Sequence, residues 1–191
     1  MKYILAFLLG VFGIEYAMAG ELPRFEQFTQ NIGKVSASFH QIKMVPESTK
    51  KFTATGQVKF EKGVGFIWKQ NAPTKQVFIS TKEKYCVDGV AQDLNSLPYF
   101  YYVRRMIDDA LNGDITGLQT VFNIDYSEYG KNQWQMTASP RYDSVAEFLQ
   151  DMVMYGTTTD LTKIIITYQN GTVVIIQFNR TGTEIKDEIA C

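Results

Sequence analysis

Apolar residues recur along this chain at two different periods, and the alternation between them predicts its elements. Leu22, Phe25, Phe28 and Ile32 return at helical spacing, which predicts an amphipathic helix over 21–31 stopped by Gly33. The period then drops to two. Val35, Ala37, Phe39, Gln41 and Lys43 share one face of a strand over 35–44, with Ser36, His40, Ile42 and Met44 on the other, until Pro46 ends it. Residues 56–73, GQVKFEKGVGFIWKQNAP, read as a hairpin whose connection is Glu61 to Gly65, followed by short strands at 76–80 and 85–87 and a turn at Asp88-Gly89. Helical spacing returns after Asn95-Ser96, where Phe100, Val103, Ile107 and Leu111 form a stripe ending near Gly113, and Asp114 to Leu118 adds a short capped turn. Strand alternation resumes in Phe122, Ile124 and Tyr126, turns at 130–132, and continues through Trp134, Met136 and Ala138. A third short helix is expected over 144–149, with Val145, Phe148 and Leu149 on one side. Strands at 161–168 and 172–178 close the pattern, joined by Asn170-Gly171, the strongest hairpin signal in the sequence.

Runs of strands interrupted by a few helices predict a mainly β or α+β domain, with the helices gathered on one side of a curved antiparallel sheet. The 56–73 hairpin is its centre. Val58 and Phe60 fall on one face of the first arm, and Phe66 and Trp68 share a face of the second, so the hairpin presents one aromatic wall. Such a wall must be covered by another sheet, by helices or by a ligand. Periodicity alone is equally consistent with a closed core and a lined pocket, and with a half-barrel and a sandwich.

A pattern of residues narrows the choice. Phe39-His40-Gln41, then Gly56-Gln57-Val58, then Phe66-Ile67-Trp68, four residues and Pro73, followed by Gln76-Val77-Phe78-Ile79-Ser80, resembles the LolA family of periplasmic lipoprotein carriers. The spacing runs without a gap from Gly56 to Ser80. The resemblance implies an unclosed antiparallel β-barrel with a lid of short helices. Two departures make the chain a divergent relative: Glu61-Lys62-Gly63 stands where the family has Lys-Arg-Pro, and Ile67 replaces a common polar or basic residue. In the family that Arg is implicated in holding the lid closed, which assigns lid and hairpin control here to Lys62. A point-charge ammonium does not reproduce a planar guanidinium fork.

The start of the chain adds a compartment. Met1-Lys2-Tyr3, the apolar run Ile4 to Ala17 and the small-x-small Ala17-Met18-Ala19 predict a signal peptide, residues 1–19, cleaved on export, and the resemblance implies that the destination is the periplasm. The run falls short of the roughly 20 residues of a membrane span and carries Glu15. No Cys follows the predicted cleavage site to accept a lipid, and Gly20 to Cys191 has the length of a single domain.

Composition then excludes several functions. A net charge of −1, with acids and bases interspersed, lacks the basic footprint of a nucleic-acid binder. The two cysteines, Cys86 and Cys191, have no CxxC or Cys/His spacing for a metal, so neither metal nor cofactor is expected. A disulfide between them and two unpaired thiols are both open. His40 is the only histidine, unaccompanied by a Gly-x-Ser-x-Gly elbow or a phosphate-binding loop, and reads as a polar residue on a strand's outer face. Asp108-Asp109 reads as a solvated helix face. No catalytic residue is assigned.

Binding an apolar ligand fits better, since small-molecule sites are concave and lined mainly by apolar and aromatic residues. Val58, Phe60, Phe66, Trp68 and Phe78 are the candidate floor of a cavity, and Phe100, Val103 and Ile107 its candidate lid. The resemblance implies an acylated lipoprotein or lipid as cargo, an inner-membrane donor complex, an outer-membrane acceptor, and a monomeric carrier without an enzymatic step. The alternative is a lipid- or lipoprotein-sensing interaction module of the same fold.

Overall fold

The computed structural model describes residues 23–93, 98–181, 185 and 189–190; the predicted signal peptide and Cys191 lie outside the described residues. Eleven strands form one antiparallel sheet: β1 (Lys34–Met44), β2 (Lys51–Glu61), β3 (Gly65–Ala72), β4 (Gln76–Thr81), β5 (Tyr85–Val87), β6 (Val90–Ala91), β7 (Phe122–Tyr129), β8 (Gln133–Pro140), β9 (Leu149–Thr157), β10 (Leu161–Tyr168) and β11 (Val173–Arg180). Their order is β6-β5-β4-β3-β2-β1-β11-β10-β9-β8-β7. Two meanders therefore meet at one seam, β1 against β11, with Phe39 opposite Phe178 and Ile42 opposite Ile175. β6 and β7 stand at opposite ends and do not pair, so the sheet curves without closing. The expected unclosed barrel with a helical lid is the architecture found.

Helices α1 (Pro23–Asn31), α2 (Pro98–Asn112) and α3 (Ile115–Val121) cover the concave face, while α4 (Asp143–Ala146) is a single turn between β8 and β9. Among the described residues no helix is long and apolar enough to cross a membrane. α1 inserts Phe25 and Phe28 against the fully buried ring of Trp134, at 5.1 and 5.3 Å between centroids. It is tethered at both ends. At its start, the Glu128 carboxylate accepts from the Arg24 N–H at 3.0 Å and the Tyr126 hydroxyl from the Phe25 N–H at 3.2 Å, occupying two donors that a helix N-terminus leaves open. The Arg24 guanidinium also pairs with Glu128 at 2.8 Å and donates to three carbonyls of the β7–β8 turn. At its end, Lys62 Nζ donates to the Thr29 carbonyl at 2.6 Å and the Asn31 amide to the Thr158 carbonyl at 2.9 Å. A cation against the last carbonyls of a helix also complements its dipole.

Two glycines let aromatic rings lie flat on the sheet. Gly56 sits opposite Phe39, and a Cβ there would stand 1.9 Å from the Lys69 carbonyl oxygen and 2.6 Å from the Phe39 ring. Gly156 sits opposite Trp134, where a Cβ would stand 2.2 Å from the indole. Each meander thus carries one large ring over a glycine of the neighbouring strand.

Three boundaries differ from the sequence reading. The helix expected over 144–149 is only the four-residue α4, and Leu149 already begins β9, a strand the alternation did not predict. A register shift between Thr167 and Tyr168 against β9 puts an extra residue, Gln150, between buried Leu149 and the buried row Met152, Met154 and Gly156. The bulge breaks the period of two at the point where the strand starts. β2 begins at Lys51, five residues before Gly56, because Lys51 to Thr55 pair with the far half of β1. The two-residue β6 was too short to read.

Replacing either glycine by alanine forces a ring or a backbone oxygen to move. Gly56→Ala and Gly156→Ala should each cost about 3 kcal/mol, the upper part of the overpacking range. Urea denaturation of the two variants measures the loss, and wild-type midpoints would show that the rings have room to shift.

Candidate functional site

The two halves of the concave face are filled differently. Over β7, β8 and β9 the side chains of α1 and α3 meet Trp134, Met136, Ala138, Met152 and Met154 in a closed core. Over β1 to β3 and β11 a cavity of about 350 Å³ is left. Val58, Phe60, Phe66 and Trp68 of the β2–β3 hairpin form one wall, with Val58 directly opposite Trp68 and Phe60 opposite Phe66. Val35 and Ala37 continue it on β1, and Ile164 and Phe178 form the facing wall. Ile107 and Leu111 of α2 and Ile32 beyond α1 make the roof. Trp68 is held rigidly: Phe39 stacks on it at 4.0 Å and Phe178 meets it edge-on at 6.1 Å. One end of the cavity is polar, lined by Thr157, Thr159, Asp160 and Thr162 around the β9–β10 turn and by Asn179 and Arg180 at the end of β11.

Of the candidate lining residues, the structure brings Val58, Phe60, Phe66, Trp68 and Ile107 together around this space. Phe78 is opposite Trp68 in register and on the same face, but it stacks with Tyr85 at 6.4 Å, one strand outside the cavity wall. Val103 packs against the core one turn away from the roof. The side chain of Phe100 lies outside the described residues. His40 is half-buried on the outer face, in register with Thr55 and Gln177. Among the described residues no cluster of three His, Cys, Asp or Glu side chains is placed to hold a metal. Cys86 is buried and disulfide-bonded.

No family model and no curated protein matches the sequence. Solved structures similar to it include a LolA-superfamily protein of Nitrosomonas europaea, 10% identical, with a TM-score of 0.44 over 85% of this chain and 93% of that one. A putative outer membrane lipoprotein-sorting protein domain of Vibrio parahaemolyticus is 6% identical, with a TM-score of 0.37 over 86% and 93%. MucB in the MucA/MucB complex of Pseudomonas aeruginosa is 11% identical, with a TM-score of 0.42 over 88% of this chain but 59% of that one.

In this half-barrel the roof helix is fastened by polar contacts that the sequence reading missed. Arg104, buried three positions after Tyr101, donates from Nε to the Ser80 hydroxyl and from a terminal nitrogen to the Thr81 carbonyl at 2.6 Å, tying α2 to β4. Asp108, one turn on, pairs with Arg104 at 3.2 Å. Asn112 accepts from the Gly63 N–H at 2.9 Å, so the tip of the β2–β3 hairpin holds α2 as well as α1. The hint in the sequence was an Arg104-Arg105 pair inside an otherwise aromatic helix. Asp108-Asp109 is correspondingly not the solvated face expected: the side chains are 19% and 21% exposed and each is paired with an arginine one turn back. The face is covered because α2 leans its Arg104 side onto β4.

Burial of the Asp108 carboxyl pushes its pKa up to about 6, against the opposing pull of Arg104 and of the Ser80 hydroxyl. Asp109 is also raised by burial, with Arg105 opposing. A carboxyl raised on folding binds its proton more tightly in the folded chain than in the unfolded one. Its contribution to stability is full below 3.8, its unperturbed value, and is lost as the pH rises through about 6. Wild type should lose on the order of 3 kcal/mol from this group between about pH 4 and about pH 7. Asp108→Asn should lack that component, and parallel stability curves for the two proteins would exclude Asp108 as its source.

Proposed function

We propose that this protein is a periplasmic carrier that takes an acyl chain of a lipoprotein or other lipid into the cavity and conveys it from an inner-membrane donor to an outer-membrane acceptor. The observation that carries the reading is the apolar cavity itself, enclosed by a rigid aromatic wall on one side and a helix fastened by polar contacts on the other. A chain kept from water gains roughly 0.8 kcal/mol per methylene, on the order of 10 kcal/mol for a dozen carbons. That is ample to hold cargo during transit, and handover then requires the roof to open.

Opening is where the polar contacts matter. Arg104, Asp108 and Asn112 exchange their partners on the sheet for water when α2 lifts, which costs little, whereas Ile107 and Leu111 leave an apolar surface exposed. Cargo filling the cavity offsets that exposure. Loaded and empty proteins therefore differ in how readily the roof opens, and a donor or acceptor can bias the equilibrium by its differential affinity for the two states.

Native mass spectrometry of the protein purified from its own periplasm, followed by lipid extraction, tests the reading. A stoichiometric acylated species is expected, and a clean apo mass together with no uptake of a fluorescent acyl probe would sink it. Ile107→Trp, which fills the cavity from above, and Phe66→Glu, which places a charge in its wall, should each lower probe binding at least about tenfold, equivalent to 1.4 kcal/mol. Unchanged binding by folded variants would place the acyl site elsewhere.

Lys62→Ala and Arg104→Ala loosen the roof without touching the cavity wall. Each should speed release of a bound probe more than it alters circular dichroism, and stopped-flow exchange measures this directly.

A further inference from the structure

Along β11 the residues facing the concave side are Val174, Ile176, Phe178 and Arg180, opposite Lys43, Gln41, Phe39 and Ala37 of β1. A period-two row that has become wholly apolar and enters a cavity calls for another apolar residue at 180. The chain places an arginine there. Arg180 lines the polar end of the cavity beside Ala37 and is 54% exposed at its side chain.

Its neighbours hold it in place without saturating it. One terminal nitrogen donates to Asp160 Oδ1 at 3.3 Å. Asp160 Oδ2 in turn accepts from the Thr159 hydroxyl at 2.5 Å, while Thr157 Oγ1 accepts from the backbone N–H groups of Thr159 and Asp160 at 3.3 and 3.1 Å. Thr162 donates to the Tyr155 carbonyl at 3.0 Å. The turn therefore spends its hydroxyl donors on itself. A guanidinium has five N–H donors in a fixed fork, and among the described residues Arg180 uses one. The spare charged donor capacity at this end of the cavity is on Arg180, at the boundary between apolar wall and water.

Volume limits what lies behind it. At about 30 Å³ per methylene, close to a water molecule's share of the liquid, a cavity of about 350 Å³ matches roughly a dozen carbons, the size of one medium-length chain.

We propose that Arg180 binds the acceptor oxygens of the polar head of a single-chain amphiphile whose chain fills the cavity. The inference rests on the acyl-binding reading above and adds the class of cargo. Carboxylate, phosphate and ester or amide carbonyl heads share the chemistry required, whereas a cationic head meets Arg180 beside an Asp160 that is already paired with it. Arg180 is exposed enough that Asp160 orients it without neutralising the whole fork.

Isothermal titration of the purified, delipidated protein with laurate, monolaurin and dodecylamine distinguishes the possibilities. Laurate and monolaurin should bind at least tenfold tighter than dodecylamine. Tighter, salt-sensitive binding of laurate supports an anionic head, and equal binding of the two supports a carbonyl head. Arg180→Gln should cut laurate or monolaurin affinity about tenfold and leave dodecylamine unchanged or improved, with the same melting temperature as Asp160→Asn to account for loss of the ion pair. Equal binding of all three probes, or full laurate and monolaurin affinity in Arg180→Gln, overturns the role of Arg180 while leaving the acyl site intact. Tighter binding of a two-chain diacylglycerol than of monolaurin overturns the single-chain limit. Failure of every dodecyl probe to bind overturns both this inference and the carrier reading.

Discussion

An antiparallel sheet that curves but does not close has a concave apolar face with nothing intrinsic to cover it, and the rest of this molecule is an answer to that constraint. A closed barrel covers such a face by wrapping it around itself. Here β6 and β7 never meet, so helices must do the covering. α1 does so as a beam fixed at both ends, by Arg24 and Glu128 at the β7–β8 turn and by Lys62 at the β2–β3 turn. α2 does so from above, on Arg104. The β2–β3 hairpin tip is the shared support, since Lys62 holds α1 and Gly63 holds α2.

The division of labour between the helices separates a rigid half from a half with space in it. α1 meets Trp134 with two phenylalanines and leaves no room. α2 offers the shorter Ile107 and Leu111 to a wall of fixed aromatics, and the gap remains. Its polar attachments lie along one side, over Ser80 and Thr81, while Met106 and Ala110 are buried in the core, so the helix that roofs the cavity is held by hydrogen bonds on one side and by packing on the other. Polar attachments of this kind lose little when water replaces them.

Most of the fold was legible because its strands keep their period and its turns carry their chemistry. Asn170-Gly171 makes the β10–β11 turn with Gly171 at φ 76°, and Gly113 ends α2 at φ 77°, where the sequence placed both. β9 was not legible, because the bulge at Gln150 and a core row of Met152, Met154 and Gly156 remove both the alternation and the β-branched residues that signal a strand. The sequence placed Val58 and Phe60 on one face of the first arm and Phe66 and Trp68 on one face of the second, and the structure sets Val58 opposite Trp68 and Phe60 opposite Phe66. Whether that wall met a helix or a void was beyond the pattern, because an inward row has the same period in either case. Arg104 and Asp108 escaped for a related reason: on a helix wheel they sit among charges, and only the lean of α2 onto β4 buries them.

The seam between β1 and β11 has a kinetic consequence. It joins residues about 130 to 140 positions apart in sequence, Ala37 with Arg180 at one end and Met44 with Val173 at the other. α1 lies just before β1, yet the ring it packs on, Trp134, is more than a hundred residues away. Each meander can assemble from neighbouring hairpins, but the helix that covers the second belongs to the chain segment that begins the first. High contact order of this kind slows folding. Until the late strands arrive, Phe25 and Phe28 have no cover, and a partly made chain would carry an exposed amphipathic helix beside two unpaired sheet edges. Such an intermediate invites self-association, so the terminal strand β11, by zipping the two meanders together, acts as the commitment step.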